Sequence, residues 1–391
     1  MAPHNDRRLN IALIGTRGVP ARYGGFETAI EEVGARLAQR GHHVLVYCRA
    51  PEGEDLAGQP EWYKGMRTVF LPAARRRSLE TLSHTGLSAA HLLRRTKPDA
   101  AVLFNAANSP WLPALRAMRI PVATHVDGLE WRRGKWNKVG QTYYRVAEQL
   151  SVRWSDTLIA DAQGIADYYT EEFEAPTDLI AYGAPLITAG TDRLAELDLA
   201  PRGYHLVVAR FEKENHVDVI VDGYRRSAAT RPLVVVGSAP YSDEYTAAIH
   251  ALADDRVRFL GGVWDQDLLD QLYGNALTYV HGHSVGGTNP SLLRAIGAGA
   301  PVLAYDVAFN REVVGEPGRY FLGADGVRQA IEAAEADPAD QERRSAGSRE
   351  RARAYDWADV TDRYEAMLRR LADGGPVRRR PSGRRTGAWE R

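Results

Sequence analysis

Residues 9–50 read LNIALIGTRGVPARYGGFETAIEEVGARLAQRGHHVLVYCRA. A short apolar run (Asn10–Ile14), a glycine-bearing loop, an amphipathic stretch and a second apolar run (Val44–Tyr47) follow in the order of a βαβ unit. Within the amphipathic stretch Phe26, Ile30, Val33 and Leu37 recur at three to four residues, so a helix over 26–39 is predicted with one buried face. The loop decides what kind of unit this is. A dinucleotide fingerprint needs glycines spaced G-x-G-x-x-G and an acidic residue closing the second strand. Gly15 and Gly18 have two residues between them, and the second run ends in Cys48 and Arg49, so the fingerprint fails twice. What remains is the pair Gly24 and Gly25 directly before the helix, where uncovered amides and the helix dipole favour a phosphate.

Working outward, the same alternation runs through the chain. Further strands are expected at Thr68–Leu71, Ala100–Phe104, Val122–His125 and Thr157–Ala160, then at His205–Val208, Leu233–Val236, Val257–Phe259, Thr278–His281 and Val302–Ala304. Strands alternating with helices imply parallel sheets covered on both faces, hence an α/β protein. The 391 residues exceed what one core serves, and glycine and proline cluster around residue 183. Two doubly wound, Rossmann-like domains are therefore expected, over 1–183 and 184–356, facing a central cleft into which the loops after the strands project. A C-terminal helix over 357–374 presents Trp357, Val360, Tyr364 and Leu368 on one face.

Fifty basic and fifty acidic side chains balance, so no net field recruits nucleic acid. The tail 375–391, rich in arginine, glycine and proline without apolar periodicity, reads as disordered. Cys48 is the only cysteine and reads as a buried small hydrophobe, which fits a reducing cytoplasmic location. No secretion signal and no membrane-spanning run are expected.

The second half repeats the phosphate device. Strand Thr278–His281 runs into Gly286 and Gly287, and Thr288 and Asn289 precede Pro290 at the first turn of a helix. Arg210 and Lys213 follow the first strand of this half, where a guanidinium fork can hold a diphosphate as its charge grows. Two helix ends and two cations point to a ligand carrying phosphate.

These stretches, with "VRFLGGVWDQDLLDQLYGNALTYVHGHSVGGTNPSLLRAIGAG" and "FNREVVG", resemble the retaining glycosyltransferases of family four, which have the GT-B fold. The likeness is nearest to the bacterial branch containing rhamnosyltransferases of cell-surface polysaccharide assembly, and it covers residues 9 to 372. It implies an enzyme that transfers a sugar from a nucleotide donor, with no metal and no cofactor, and whose C-terminal helix crosses back to the first domain. It implies diphosphate contacts at Gly24, Gly25, Arg210, Gly286, Gly287, Thr288, Asn289 and Ser291, a sugar contact at His125, and Glu312 near the donor pocket. The lysine that follows the arginine in relatives falls on Asn215, so either Lys213 substitutes from a shifted position or the lysine's role is lost. The two glutamates of the family's E-x(7)-E motif fall on Gly286 and Arg294. A carboxylate that binds two vicinal ribose hydroxyls is least needed with a 2′-deoxyribose, so dTDP-rhamnose is the expected donor. The same loss would suit a repurposed homologue that binds glycan or nucleotide, and a sugar-nucleotide epimerase is the rival enzyme.

Trp131, Arg132, Arg133 and Trp136 mix aromatic and cationic groups, as a sugar beside a phosphate in a lipid-linked acceptor would require. The stretch 73–97 carries leucines flanked by arginines, which suits peripheral contact with the inner face of the cell membrane.

Overall fold

The structure, a computed structural model, describes residues 7–21, 24–50, 58–74, 77–94, 97–126, 128–133, 136–237, 243–374 and 383–390. The chain divides into two compact units, one of residues 1–182 with 357–391 and one of residues 183–356.

Unit 1 contains β1 (Asn10–Ile14), α1 (Gly25–Gln39), β2 (His43–Arg49), β3 (Trp62–Tyr63), β4 (Met66–Leu71), α2 (Arg77–Leu92), β5 (Ala100–Phe104), α3 (Leu112–Ala117), β6 (Val122–His125), α4 (Lys138–Trp154), β7 (Thr157–Ala160), α5 (Gln163–Phe173) and β8 (Asp178–Leu179). They form one sheet in the order β3-β4-β2-β1-β5-β6-β7-β8, parallel except for β3 against β4. Every residue of β5, β6 and β7 is buried, as strands covered on both faces must be. The apolar core under this sheet is built from Ile14, Tyr47, Leu103, Leu112 and Val122. Cys48 lies in that interior, and burial pushes its thiol up to about 11, so it is an inert hydrophobe.

Unit 2 contains β9 (His205–Val208), α6 (Val217–Arg225), β10 (Leu233–Val236), α7 (Asp243–Leu252), β11 (Val257–Gly261), α8 (Gln266–Asn275), β12 (Thr278–His281), α9 (Pro290–Gly297), β13 (Val302–Tyr305), α10 (Ala308–Val314), β14 (Arg319–Phe321), α11 (Gly323–Ala336) and α12 (Pro338–Ala352). Its sheet is wholly parallel in the order β11-β10-β9-β12-β13-β14. The strand order reverses between β9 and β12, and in unit 1 between β1 and β5. Such switch points part the loops beyond the carboxyl ends of the strands and leave room for a ligand.

After unit 2 the chain returns to unit 1 as α13 (Trp357–Ala372), with Trp357, Val360, Tyr364 and Leu368 all buried. Ion pairs of Arg40 with Asp362 and Glu365 (2.6 and 2.8 Å) fix it against the end of α1. The tail departs from expectation. Residues 375–382 and 391 lie outside the described residues, but 383–390 are ordered against α4 and α5 rather than solvated. The cause is pairing of Arg385 with two buried acids, which composition does not reveal. Among the described residues no helix is long and apolar enough to cross a membrane.

Candidate functional site

The switch point of unit 2 is assembled from backbone outward. Gly282, immediately after β12, lies so close to the loop after β9 that a Cβ there would stand 2.0 Å from the Asn215 carbonyl oxygen. Only glycine permits that approach. Asn215 then clamps the loops: its Nδ2 donates to the Arg210 carbonyl (2.8 Å), and its Oδ1 accepts from His283 Nδ1 (2.8 Å). The backbone amide of Ser284 donates to the Glu214 carbonyl (2.9 Å), and Asn310 of α10 donates to the His283 carbonyl (2.9 Å). Asn215 is therefore a buried strut, and it does not take the place of a ligand-binding lysine.

The clamped loop presents Arg210 and Lys213 at the surface. Arg210 has a side chain 60% exposed, and it pairs with Glu212 at 3.5 Å, a contact weak enough for a phosphate to replace. Gly286 adopts φ 132° in the facing loop. The start of α9 is only partly open. Asn289 Oδ1 accepts from the Ser291 amide (2.9 Å) and Pro290 has no N–H, so Ser291 offers no free backbone donor, contrary to the expected phosphate contact. Thr288 is buried beside it. Arg294 pairs with Asp270 of α8 and is thereby tied to its own unit's frame. Glu312 lies in the second turn of α10 rather than at its start, with its carbonyl bonded by Arg351 and Tyr355.

Unit 1 treats its glycine loop differently. Gly24 caps α1 with φ 76° and Gly25 faces the Tyr182 ring, 2.7 Å from where a Cβ would be. The expected phosphate cradle is filled from within: Glu27 Oε1 accepts from the Arg17 amide (3.2 Å) and Glu31 Oε2 from the Ala21 amide (2.6 Å). Burial raises the Glu27 carboxyl above its ordinary range. The carboxyls of Glu27 and Glu31 thus lie beside the loop that carries Gly24 and Gly25, and they hold its Arg17 and Ala21 amides.

His125 ends β6 with no exposed surface. Phe26, Phe104 and Tyr182 surround it at ring-centroid distances of 5.0, 5.5 and 5.6 Å. Its Nδ1 meets the Tyr364 hydroxyl at 3.0 Å, and its Nε2 is 3.8 Å from Asp161. The imidazole is a core group here, bonded to α13, and not a surface contact for sugar. The four acceptor candidates are likewise engaged internally. Trp131 is 7% exposed with the guanidinium groups of Arg145, Arg132 and Arg385 at 4.3, 5.1 and 5.3 Å. Arg133 pairs with Glu130 (2.6 Å), and Trp136 donates to the same acid (3.3 Å) and packs on Tyr144 at 4.9 Å. Sequence reasoning missed Glu27, Asn215 as a strut, and the acids Glu148 and Glu172; no spacing rule marks any of them. Among the described residues no group of three or more His, Cys, Asp or Glu side chains is placed to hold a metal ion.

The chain matches the Glycosyl transferase 4-like domain family over residues 24–183 and the Glycosyl transferases group 1 family over residues 199–352. It thus belongs to the glycosyltransferases built from this pair of domains, with the GT-B fold. Similar solved structures include the sucrose-phosphate synthase of Thermosynechococcus elongatus, at 20% identity over 94% of this chain and 100% of that one, TM-score 0.80. Anabaena HepE in complex with UDP-glucose is similar at 16% identity over 93% of this chain and 100% of that one, TM-score 0.74. The O-antigen chain mannosyltransferase B of Escherichia coli is 28% identical over 131 residues, so the match spans 32% of this chain and 34% of that relative.

Proposed function

We propose that the protein transfers a sugar from a nucleoside-diphosphate donor to a saccharide acceptor, and that unit 2 holds the donor's diphosphate. The observation that carries this reading is the exposed pair Arg210 and Lys213 on a loop clamped by Asn215 at the switch point of a parallel sheet. The likeness in fold to a protein crystallised with UDP-glucose supports it.

The reaction proceeds with retention. The acceptor hydroxyl attacks the anomeric carbon from the face the diphosphate leaves, the bond to the phosphate oxygen breaks, and that oxygen takes the acceptor's proton. The protein's part is to orient both substrates and to stabilise the growing charge through Arg210 and Lys213. No metal or cofactor is needed for these steps. The donor is a dTDP-linked deoxyhexose, with rhamnose favoured: α9 offers Arg294, committed to Asp270, where relatives carry a carboxylate for the ribose. The acceptor is a lipid-linked saccharide of surface polysaccharide. Leu79, Leu87 and Leu93 on and just beyond α2 are 45%, 42% and 63% exposed, an apolar stripe suited to a membrane surface.

A thermal-shift panel of dTDP, UDP, GDP and NAD tests the reading. A nucleotide at about a hundred times its dissociation constant adds about 2.7 kcal/mol of stability. Selective stabilisation by dTDP, reduced in Arg210→Ala, is the expected result; UDP or GDP in its place overturns the deoxyribose donor, and silence to all nucleotides overturns the transferase.

A further inference from the structure

Residues 383–390 alternate along their length. Arg384, Thr386 and Ala388 are exposed, whereas Gly383, Arg385, Gly387 and Trp389 turn toward unit 1. The segment bends at Gly383 and Gly387 (φ 71° and 75°) and closes in a single 3-10 turn over Ala388–Glu390, so it turns alternate residues toward unit 1 without being a strand. Arg385 is the key residue: with a side chain 10% exposed, it lies 2.6 Å from Glu148 of α4 and 3.1 Å from Glu172 of α5, whose own side chains are 2% and 0% exposed. Glu172 also accepts from the Gly387 and Trp389 amides (3.1 and 3.4 Å). The Trp389 ring meets Tyr168 edge-on at 5.5 Å. Across the same surface the Arg385 guanidinium covers the Trp131 ring, and Arg132 donates to the Trp389 carbonyl.

We propose that α4, α5 and the turn at Glu130–Arg132 form a peptide-docking surface whose occupant is this chain's own residues 383–390, a plug that covers Trp131 and engages Arg132. The two buried acids come from different helices, and although the Tyr168 hydroxyl donates to Glu148 (2.9 Å), carboxylates at that depth without a cation are expensive. An arginine resolves both at once. Its planar fork reaches two carboxylates and stacks on an aromatic face, which the compact ammonium of lysine does not. The attachment is made by side chains, by the Glu148 and Glu172 carboxylates and by one backbone bond from the Thr386 amide to the Glu172 carbonyl (3.0 Å), without strand pairing to the sheet, so the plug is separable from the fold of unit 1. While it is seated, an acceptor has no access to Trp131. That last consequence rests on the acceptor-side reading of Trp131 and Arg132; the docking does not.

Hydroxyl-radical footprinting of the full chain, with oxidation of Trp131 and Trp389 read by mass spectrometry and no sugar present, tests this. Both residues should be protected in the native protein. In Arg385→Ala, and independently in Trp389→Ala, Trp131 oxidation should rise about tenfold, with far-UV circular dichroism unchanged. Arg385→Lys should resemble Arg385→Ala. A synthetic peptide of residues 383–391 added to Arg385→Ala should restore protection, and the same peptide with alanine in place of its Arg385 should not. Unchanged Trp131 oxidation in folded Arg385→Ala and Trp389→Ala, or equal rescue by both peptides, overturns the proposal. Neither result depends on the nucleotide panel, so the docking and the transferase reading fail separately.

Discussion

Unit 1 and unit 2 each place glycines in the loop before a helix at the switch point of a parallel sheet, yet they put opposite charges there. In unit 1 the loop is held by acids of its own helix, Glu27 and Glu31, which accept the loop amides that an anion would need. In unit 2 the loop is held by neutral groups, Asn215 and Asn310, and the cations Arg210 and Lys213 stay at the surface. A glycine pair before a helix is thus a device for close approach, and the neighbouring side chains decide whether an anion or the protein's own carboxylate uses it. The same contrast recurs on the other face of unit 1, where two buried acids take an arginine from the tail.

The largest effect should come from the backbone contact that shapes the unit 2 loop. Gly282→Ala drives a Cβ into the Asn215 carbonyl, which cannot retreat without breaking the clamp, and should cost about 3 kcal/mol or more with loss of nucleotide-induced stabilisation. In unit 1, Gly25→Ala meets the Tyr182 ring, a side chain with some freedom to shift, and should cost about 1–2 kcal/mol. Chemical denaturation of both variants, with and without nucleotide, makes the comparison. Equal losses would mean that the two loops are shaped alike.

Next comes the acid that unit 1 buries beneath its tail. Burial raises the Glu148 carboxyl to about 7, against an ordinary 4.5. A raised folded value means that the ionised form is disfavoured in the native state, so stability is full below pH 4.5 and is lost as pH rises through 7. The shift corresponds to about 3 kcal/mol across that window. His84, lowered to about 4, and His281, lowered to about 3, act oppositely, losing stability as pH falls below their ordinary value. The informative quantity is therefore the difference between native protein and Glu148→Gln in melting temperature: the variant should gain on the native protein from pH 5 to pH 8. A flat difference would remove the buried acid from the contrast.

Arg210→Ala should weaken nucleotide binding about tenfold to a hundredfold, the range for a charge-assisted phosphate contact, while the melting temperature without nucleotide stays within about a degree. Its ion pair with Glu212 is too exposed to stabilise the fold. A fall in stability without a fall in affinity would move the diphosphate away from this loop.

The parts legible in the sequence were those with a period. Seven of the eleven expected strands begin and end where they were read from their apolar runs, among them Asn10–Ile14, Ala100–Phe104 and Thr278–His281, and the spacing of Trp357, Val360, Tyr364 and Leu368 disclosed α13. β3, β8 and β14 were not legible, because two or three residues carry no alternation and pair only once the neighbouring strand is present. Arg210 and Lys213 lie exposed on the loop after β9, the placement that their position after a strand led one to expect. Ser291, His125 and Trp131 each carry a contact made through folding that spacing does not show, with Asn289, Tyr364 and Arg385 respectively. The tail failed most plainly, since the acids that order Arg385 lie 237 and 213 positions away.

The smallest effect is also the sharpest on the comparison. Glu27→Gln keeps an oxygen to accept from the Arg17 amide while removing the charge at the start of α1. If unit 1 fills its own loop and unit 2 holds the diphosphate, the stabilisation by nucleotide should be the same in this variant as in the native protein, within about 0.5 kcal/mol. Stability alone should change, and in a direction fixed by the raised carboxyl: the native protein loses stability as pH rises through that raised value, and the variant does not. The variant should therefore match the native protein in mild acid and exceed it slightly at pH 8. Stronger nucleotide binding in Glu27→Gln would instead show that the carboxylate repels a phosphate bound beside it, and would place the α1 start within the donor site.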